Sequence, residues 1–254
     1  MGTFNDPAFV EEFKQFVLAG GWKRVLEVGC YSGELLEALG FGEGVSLEDD
    51  GSPLARKWVK WPNKDVRDLK DIVWRAYDLV FSSGLIEHYE QDEAISLLKA
   101  MGELLLSDGC VLTYVPNSEC LSYQQAKEAA KKVGIPWGTE KDYTEVSLAD
   151  LHRAAGFEVL RTGTAGQEWT RRFGNVPNDK PYLVWCLARV NYKAEVIKPV
   201  ETTETTETTE TTETTETTTG VAKTESVAKT ETAKRQGGAK TKPKPVGVGA
   251  GVKR

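Results

Sequence analysis

Residues 25–36 constrain the fold of this chain more than any other stretch. Val25–Val28 is a short β-rich run, Gly29 and Gly33 follow it, and apolar residues resume with helical spacing at Leu35–Leu36. This order predicts a buried strand, a tight turn and the start of a helix. Because glycine lacks a Cβ, the backbone of such a turn lies close to a ligand, and the new helix points free N–H groups at it. We therefore predict a site for an adenosine-type cofactor, with an ordinary strand–helix turn as the alternative.

The spacing of the glycines in the turn restricts the class of cofactor that could bind there. A dinucleotide site needs Gly-x-Gly-x-x-Gly, whereas the glycines here are separated by three residues, and the chain has no Gly-Lys-Ser/Thr loop. Glu27, two residues before Gly29, would repel a pyrophosphate but tolerate an amino group and a positive centre. S-adenosylmethionine has both of these and no phosphate.

The stretch resembles the first motif of class I S-adenosylmethionine-dependent methyltransferases, acid-x-Gly-x-Gly-x-Gly. Tyr31 stands where this family usually has its middle glycine. Since tyrosine tolerates positive φ poorly, we expect a different turn, with the ring lying against the cofactor. The resemblance implies that Glu27, Gly29, Tyr31 and Gly33 bind S-adenosylmethionine.

Two later segments resemble further motifs of the family on the cofactor side. Asp50-Gly51-Ser52-Pro53 resembles the second motif, in which an acid reaches the ribose hydroxyls. We assign that role to Asp50, with Glu48 and Asp49 as rivals and a solvated acidic turn as the alternative. The resemblance also implies that Asp65 meets the adenine amino group and that Val66 flanks the base.

The segment from Tyr77 to His88 resembles the fourth motif, Tyr-Asp-Leu-Val-x-Ser-x-x-x-x-Glu-His. We predict a buried strand that ends at Ser82, a cofactor-binding position, because ligands bind at the carboxyl ends of such strands. His88 is a candidate base for a substrate hydroxyl or amine, or else it only packs the loop. Some relatives bind a divalent metal through Glu-x-x-Glu-His. Gly84 replaces the first of these glutamates, so we predict no metal.

An insertion at residues 118–146 follows the fifth predicted strand and is expected to cover the active site. It contains three aromatic residues that are candidates for a substrate pocket: Tyr123, Trp137 and Tyr143. Each of them could instead hold the insertion together by packing, as aromatic residues commonly do.

Strands alternate with helices along the chain, so we predict an α/β fold with a doubly wound, mostly parallel sheet. The resemblance covers about residues 20–190 and implies a seven-stranded Rossmann-like sheet whose last strand is antiparallel beside strand five. Four local expectations matter below: helices at Leu69–Val73 and from Ala94 through Leu105, a helix that begins at Ser147, and a loop at 163–181.

We predict two parts, a methyltransferase domain at 1–195 and a disordered tail at 196–254. The tail is a Glu-Thr-Thr repeat followed by a Lys-rich end, and it lacks the apolar residues needed to form a core. The Lys-rich end could contact an anionic partner weakly or simply keep the protein in solution.

Composition restricts the partners and the compartment. The net charge of −6 argues against a general nucleic-acid binder, and no apolar run is long enough for a membrane span. Four scattered cysteines and the lack of a signal peptide indicate a reduced, cytoplasmic protein. We expect a small-molecule methyl acceptor. The alternatives are a cofactor-binding protein without turnover, suggested by Tyr31, and a macromolecular methyltransferase guided by the Lys-rich tail.

Overall fold

The computed structural model describes residues 6–46, 51–69, 72, 75–174 and 176–191. Within them, seven strands form one sheet in the order β3-β2-β1-β4-β5-β7-β6. The strands are β1 (Val25–Val28), β2 (Glu43–Val45), β3 (Val59–Trp61), β4 (Tyr77–Ser83), β5 (Leu105–Pro116), β6 (Phe157–Ala165) and β7 (Leu183–Val190). The first five strands are parallel, and β7 is antiparallel to both β5 and β6. The predicted seven-stranded, mostly parallel sheet is confirmed.

Helices cover both faces of the sheet. They are α1 (Pro7–Gly20), α2 (Glu34–Leu39), α3 (Pro53–Trp58), α4 (Gln91–Glu103), α5 (Leu121–Lys132), α6 (Glu145–Ala154) and α7 (Gln167–Phe173), with single 3-10 turns at Ile86–His88 and Pro136–Thr139. Local sequence explains the start of α1, because the Asp6 carboxylate accepts a hydrogen bond from the N–H of Ala8 and Pro7 fits the first turn.

Alternating residues of the strands build two hydrophobic clusters. Leu26, Val28 and Val80 belong to a cluster with α4 and α6, whereas Leu79 and Phe81 belong to one with α1 and α2. This alternation follows from the strand geometry, since successive side chains point to opposite faces. The sheet is thus buried on both sides, and its strand ends are the part left for a ligand.

The predicted helix at Leu69–Val73 is wrong where the structure describes it. Leu69 and Ile72 lie in irregular chain, joined by a hydrogen bond from the N–H of Ile72 to the carbonyl of Leu69 at 3.0 Å. Both side chains are buried in the core. Their three-residue spacing therefore reflects burial in the core rather than a helical face.

Three further boundaries differ from the prediction. The helix α4 ends at Glu103, because Leu105 already pairs with Tyr77 as the first residue of β5. The helix α6 begins at Glu145 rather than Ser147. Its N-cap is Thr144, whose side chain accepts from the N–H of Ser147 at 3.0 Å. The expected loop 163–181 contains the end of β6 and the helix α7.

None of the helices in the described part of the chain combines the length and apolarity that a bilayer crossing requires. All four cysteines are buried free thiols. The predicted tail at 196–254 lies outside the described residues.

Phe13 offers a test of the α1 packing. Its ring is fully buried, with its centroid 4.9 Å from that of Phe81 on β4. We expect Phe13→Ala to lower the free energy of unfolding by about 3–5 kcal/mol, because it leaves a cavity between α1 and the sheet. Chemical denaturation measures the change. Leu18→Ala, on the exposed side of the same helix, is the matched control, and an equal loss for both would contradict this packing.

Candidate functional site

The turn between β1 and α2 is held by the neighbouring strand. The N–H groups of Gly29 and Cys30 both donate to the carbonyl of Val45, each at 2.9 Å, and the N–H of Gly33 donates to the carbonyl of Cys30 at 2.8 Å. Gly29 has φ +80° and Gly33 has φ +82°, a region that side chains rarely occupy. The sequence therefore folds here as predicted, into a tight turn at the carboxyl end of β1.

Neighbouring side chains also crowd these two positions. A Cβ on Gly29 would lie 2.9 Å from Cδ1 of Leu85, and one on Gly33 would lie 2.9 Å from Cβ of Trp58. Tyr31, between them, has φ +49° and exposes 39% of its surface. A tyrosine in this conformation is strained by about 1–3 kcal/mol, and such strain concentrates at functional sites.

Buried oxygens without a partner gather at this edge of the sheet. Glu27 faces Phe81 across the β1–β4 pair, so Ser82 is one residue further towards the carboxyl end. In the described part of the chain, Oε2 of Glu27 and the hydroxyls of Ser32, Ser82 and Ser83 are buried with no hydrogen-bond partner. Such groups are rare in proteins, and they suggest that a ligand supplies the missing partners.

The Glu27 carboxyl is buried where a negative charge is unfavourable. Burial, and secondarily the charge of Glu34, raises the pKa of Glu27 well above its usual value. A ligand with an amino group would compensate the ionised form, which agrees with the predicted preference for a positive centre.

The remaining predicted cofactor residues have other surroundings. The Asp65 carboxylate forms a two-pronged ion pair with Arg67, with Nη2 to Oδ2 at 2.7 Å and Nε to Oδ1 at 3.0 Å, and these bonds lower the pKa of Asp65 to about 2. Val66 is buried in the hydrophobic core. Asp50 and its rivals Glu48 and Asp49 lie outside the described residues. The structure therefore gathers Glu27, Gly29, Tyr31, Gly33 and Ser82 around the turn and the adjacent ends of β1 and β4.

A second group of polar residues follows β4. Glu87, in the 3-10 turn, exposes only 3% of its surface, and its Oε2 has no partner among the described residues. Burial raises the pKa of Glu87 to about 8, and the charges of Glu140 and Asp142 contribute. No role is predicted for Glu87 from the sequence, although its position directly before His88 in the fourth motif is a usable signal.

His88 lies at the rim of this second group. Its side chain is 49% exposed, and its Nδ1 is 3.7 Å from Oε1 of Glu140. Partial burial lowers the pKa of His88 below its usual value, so the ring is neutral near pH 7 and can accept a proton.

The aromatic residues of the insertion divide between two surroundings. Tyr123 and Trp137 stack with ring centroids 6.1 Å apart, and Phe173 and Tyr182 pack against Tyr123 at 5.3 and 4.9 Å. The Tyr123 hydroxyl is buried without a partner among the described residues. Tyr143 lies instead in the cluster on the other face of the sheet. Phe173 was overlooked because residues 163–181 were expected to form a loop.

Comparison with known proteins finds a protein family whose model matches this chain. The Methyltransf_23 model, a methyltransferase domain, matches residues 6–162. A ubiquinone biosynthesis O-methyltransferase of Neisseria meningitidis is 28% identical over 158 residues, covering 55% of this chain and 66% of the relative. The match thus spans just under two thirds of that protein's length.

Several solved structures share the fold. A possible histamine N-methyltransferase of Thermotoga maritima superposes with a TM-score of 0.57 at 18% identity, covering 71% of this chain and 89% of that one. The 1,6-didemethyltoxoflavin-N1-methyltransferase of Burkholderia thailandensis, solved with its substrate and S-adenosylhomocysteine, gives 0.54 at 21% identity, covering 74% and 80%. The magnesium protoporphyrin IX methyltransferase of Synechocystis, with S-adenosylhomocysteine, gives 0.51 at 16% identity, covering 75% and 88%.

Gly33→Ala tests the turn. An added Cβ is strained at this φ by about 1–2 kcal/mol and meets Trp58, which adds about 1–3 kcal/mol. We expect the free energy of unfolding to fall by the sum. Gly134→Ala is the matched control, because Gly134 has φ +73° but open space around a Cβ, so only the backbone strain applies. Equal losses in denaturant titrations would show that Trp58 moves away freely.

Glu87 gives a prediction about pH. Its raised pKa means that the folded protein retains a proton that the unfolded chain releases above about pH 4.5, so stability falls as pH rises from there towards 8. Between about pH 5.5 and 7.5 this group should remove about 3 kcal/mol. We expect Glu87→Gln to flatten the stability curve by that amount and exposed Glu128→Gln to leave it unchanged. Parallel curves for wild type and Glu87→Gln would contradict the assignment.

Proposed function

The chain belongs to the Methyltransf_23 family of methyltransferase domains, and from that premise we propose that it transfers a methyl group from S-adenosylmethionine to an O, N, C or S atom of a small molecule. The observation that carries the proposal is the set of buried, unpartnered oxygens of Glu27 and Ser82 at adjacent strand ends. They stand beside a turn that approaches a ligand with its backbone rather than with a cationic side chain.

The residues around the turn suit this cofactor. Glu27 matches a ligand with an amino group and a positive sulfur, and Gly29 and Gly33 keep the turn free of side chains. The hydroxyl of Ser82 and the ring of Tyr31 complete the proposed contacts. From the motif resemblance we assign Asp50 to the ribose and Asp65 with Val66 to the adenine side. When bound, S-adenosylmethionine supplies a methyl group that its sulfonium already activates.

The protein's own contribution is mainly orientation and exclusion of water. Leu85 lies behind Gly29 and Trp58 behind Gly33, so apolar side chains close the turn on its inner side. His88 is the proposed proton acceptor for acceptors that must lose a proton. Its half-exposed, neutral ring suits that role.

Several observations favour a small acceptor. The named relatives act in ubiquinone biosynthesis and on 1,6-didemethyltoxoflavin. The insertion 118–146 supplies Tyr123, Trp137 and Tyr143 as proposed walls of the substrate pocket. Four buried free thiols fit the cytoplasmic location that we propose. Any contact of the Lys-rich tail with an anionic partner stays a prediction from sequence.

The decisive experiment uses the purified full chain. Mass spectrometry identifies a co-purified ligand, calorimetry measures binding of S-adenosylmethionine and S-adenosylhomocysteine, and labelled methyl transfer is followed into fractionated cell metabolites. We expect binding of both nucleosides and label in a small-molecule fraction. Absence of cofactor binding would overturn the proposal, and binding without transfer to any fraction would indicate a non-catalytic protein.

His88→Ala separates catalysis from binding. We expect turnover to fall by about a hundredfold while the Kd for the cofactor stays unchanged, because the ring accepts a proton without holding the nucleoside. Steady-state kinetics and calorimetry on the same preparation provide the two readouts. A near-normal rate would leave His88 only as the partner of Glu140.

A further inference from the structure

The second group of polar residues, which follows β4, contains side chains that methyl transfer itself does not require. We name it the acidic–aromatic cluster. It consists of Glu87 from the 3-10 turn after β4, residues of the insertion, and two aromatic residues that follow β6. The full set is Glu87, Tyr123, Lys127, Trp137, Glu140, Asp142, Phe173 and Tyr182. The main chain holds the insertion against the 3-10 turn, since the N–H of Lys141 donates to the carbonyl of Glu87 at 3.0 Å.

Acids outnumber cations in the acidic–aromatic cluster. Lys127 is buried, and its Nζ pairs with Oδ1 of Asp142 at 2.6 Å and also donates to the carbonyl of Glu140. Among the ion pairs of the described residues, the Glu140 carboxylate has one partner, the neutral His88 ring, whose Nδ1 lies 3.7 Å from Oε1 of Glu140. Glu87 has an unpartnered oxygen. The cluster thus contains one cation and three carboxyl groups, of which Lys127 pairs with that of Asp142. Burial raises the pKa of Glu87 to about 8 and that of Glu140 to about 7.

The rest of the cluster consists of packed aromatic rings and a second unpartnered polar group, the Tyr123 hydroxyl. Tyr123, Trp137, Phe173 and Tyr182 pack with centroids between 4.9 and 6.4 Å apart. The Nζ of Lys127 is 5.9 Å from the Tyr123 centroid, so this part of the cluster already faces one ammonium group. Burial raises the pKa of the Tyr123 phenol, and the charges of Asp142, Glu140 and Glu87 add to the shift.

We infer that Glu87 binds a protonated amine of the methyl acceptor, with the Tyr123 hydroxyl as a second hydrogen-bond partner and the rings against the carbon frame that bears the amine. This inference rests on the proposed function, because it specifies the acceptor of that same reaction. The ammonium group is the recognition element, and the methyl group goes to a different atom.

Other ligand chemistries fit this surrounding less well. A carboxylate would add a negative charge beside three acids, and a neutral hydroxyl could hydrogen-bond to Glu87 but would not stabilise its ionised form. Within the described residues, no three side chains of the kinds that ligate metals converge on one point. Aromatic faces with a buried carboxyl group are a suitable surrounding for an organic cation.

The test compares three probes that share a 4-hydroxyphenyl ring and carry a positive, a neutral or a negative group at the other end: tyramine, 4-hydroxyphenethyl alcohol and 4-hydroxyphenylacetate. Calorimetric titrations use the full chain, with and without S-adenosylhomocysteine. We expect tyramine to bind at least about tenfold more tightly than the alcohol, and the acetate to bind most weakly. Equal affinity for tyramine and the alcohol, or no binding of tyramine up to about 10 mM, would overturn the inference.

Variants assign the preference to the cluster. Glu87→Gln keeps the side-chain shape and should abolish the advantage of tyramine, whereas Tyr123→Phe keeps the ring and should weaken tyramine by about two- to fivefold. Glu128→Gln, an exposed acid of the same insertion, should preserve the advantage. A preference that survives Glu87→Gln would refute the role of Glu87. Circular dichroism checks folding, and if Glu87→Gln does not fold, the wild-type probes and Tyr123→Phe decide.

The same titrations separate the two proposals. Nucleoside binding without a preference for tyramine overturns only the amine inference and leaves the methyltransferase proposal intact. Failure of the nucleosides to bind overturns the methyltransferase proposal, while the tyramine series in the free protein still decides whether Glu87 recognises an amine.

Discussion

The carbonyl oxygen of Val45 accepts hydrogen bonds from two successive N–H groups, those of Gly29 and Cys30, and this shared acceptor sets the position of the cofactor turn. These bonds tie the chain that leaves β1 to the end of β2, so the turn bends away from the direction of β1. Gly29 and Gly33 both adopt left-handed conformations within this turn. Leu85 and Trp58 also crowd the positions that a Cβ would take at Gly29 and Gly33, each at 2.9 Å.

Both candidate sites are built around a buried carboxyl group without a complete set of partners. Glu27 is the last but one residue of β1 and Glu87 follows β4, and burial is the largest cause of the raised pKa in each case. Such groups lower the stability of the free protein at neutral pH, and a cationic ligand reverses that effect by compensating the charge. The proposed cofactor and the proposed amine would thus bind by the same physical principle at neighbouring strand ends.

Much of the fold and part of the site could be predicted from local patterns. The turn glycines, the caps at Asp6 and Ser52 and the alternation of strands and helices all depend on residues close together in the chain. Elements decided by distant contacts were predicted wrongly. Leu105 continues a helical pattern but pairs with Tyr77, and the spacing of Leu69 and Ile72 reflects burial in the core rather than a helix. The carboxylate of Asp65 is bound to Arg67, two residues further along the chain, and its proposed contact with adenine stays a prediction.

The sequence by itself determined the fold class, the position of the glycine turn and the nature of the cofactor site, because strand length, glycine spacing and the acid at Glu27 are local properties. Only the tertiary structure decided that Tyr31 adopts a positive φ and that Glu87, rather than His88, is the buried group after β4. It also brought Phe173 and Tyr182 against Tyr123. The physical reason is that burial and charge balance depend on which distant segments meet. Here the insertion and the segment after β6 meet over the end of β4. Neither segment contains a sequence pattern that predicts this contact.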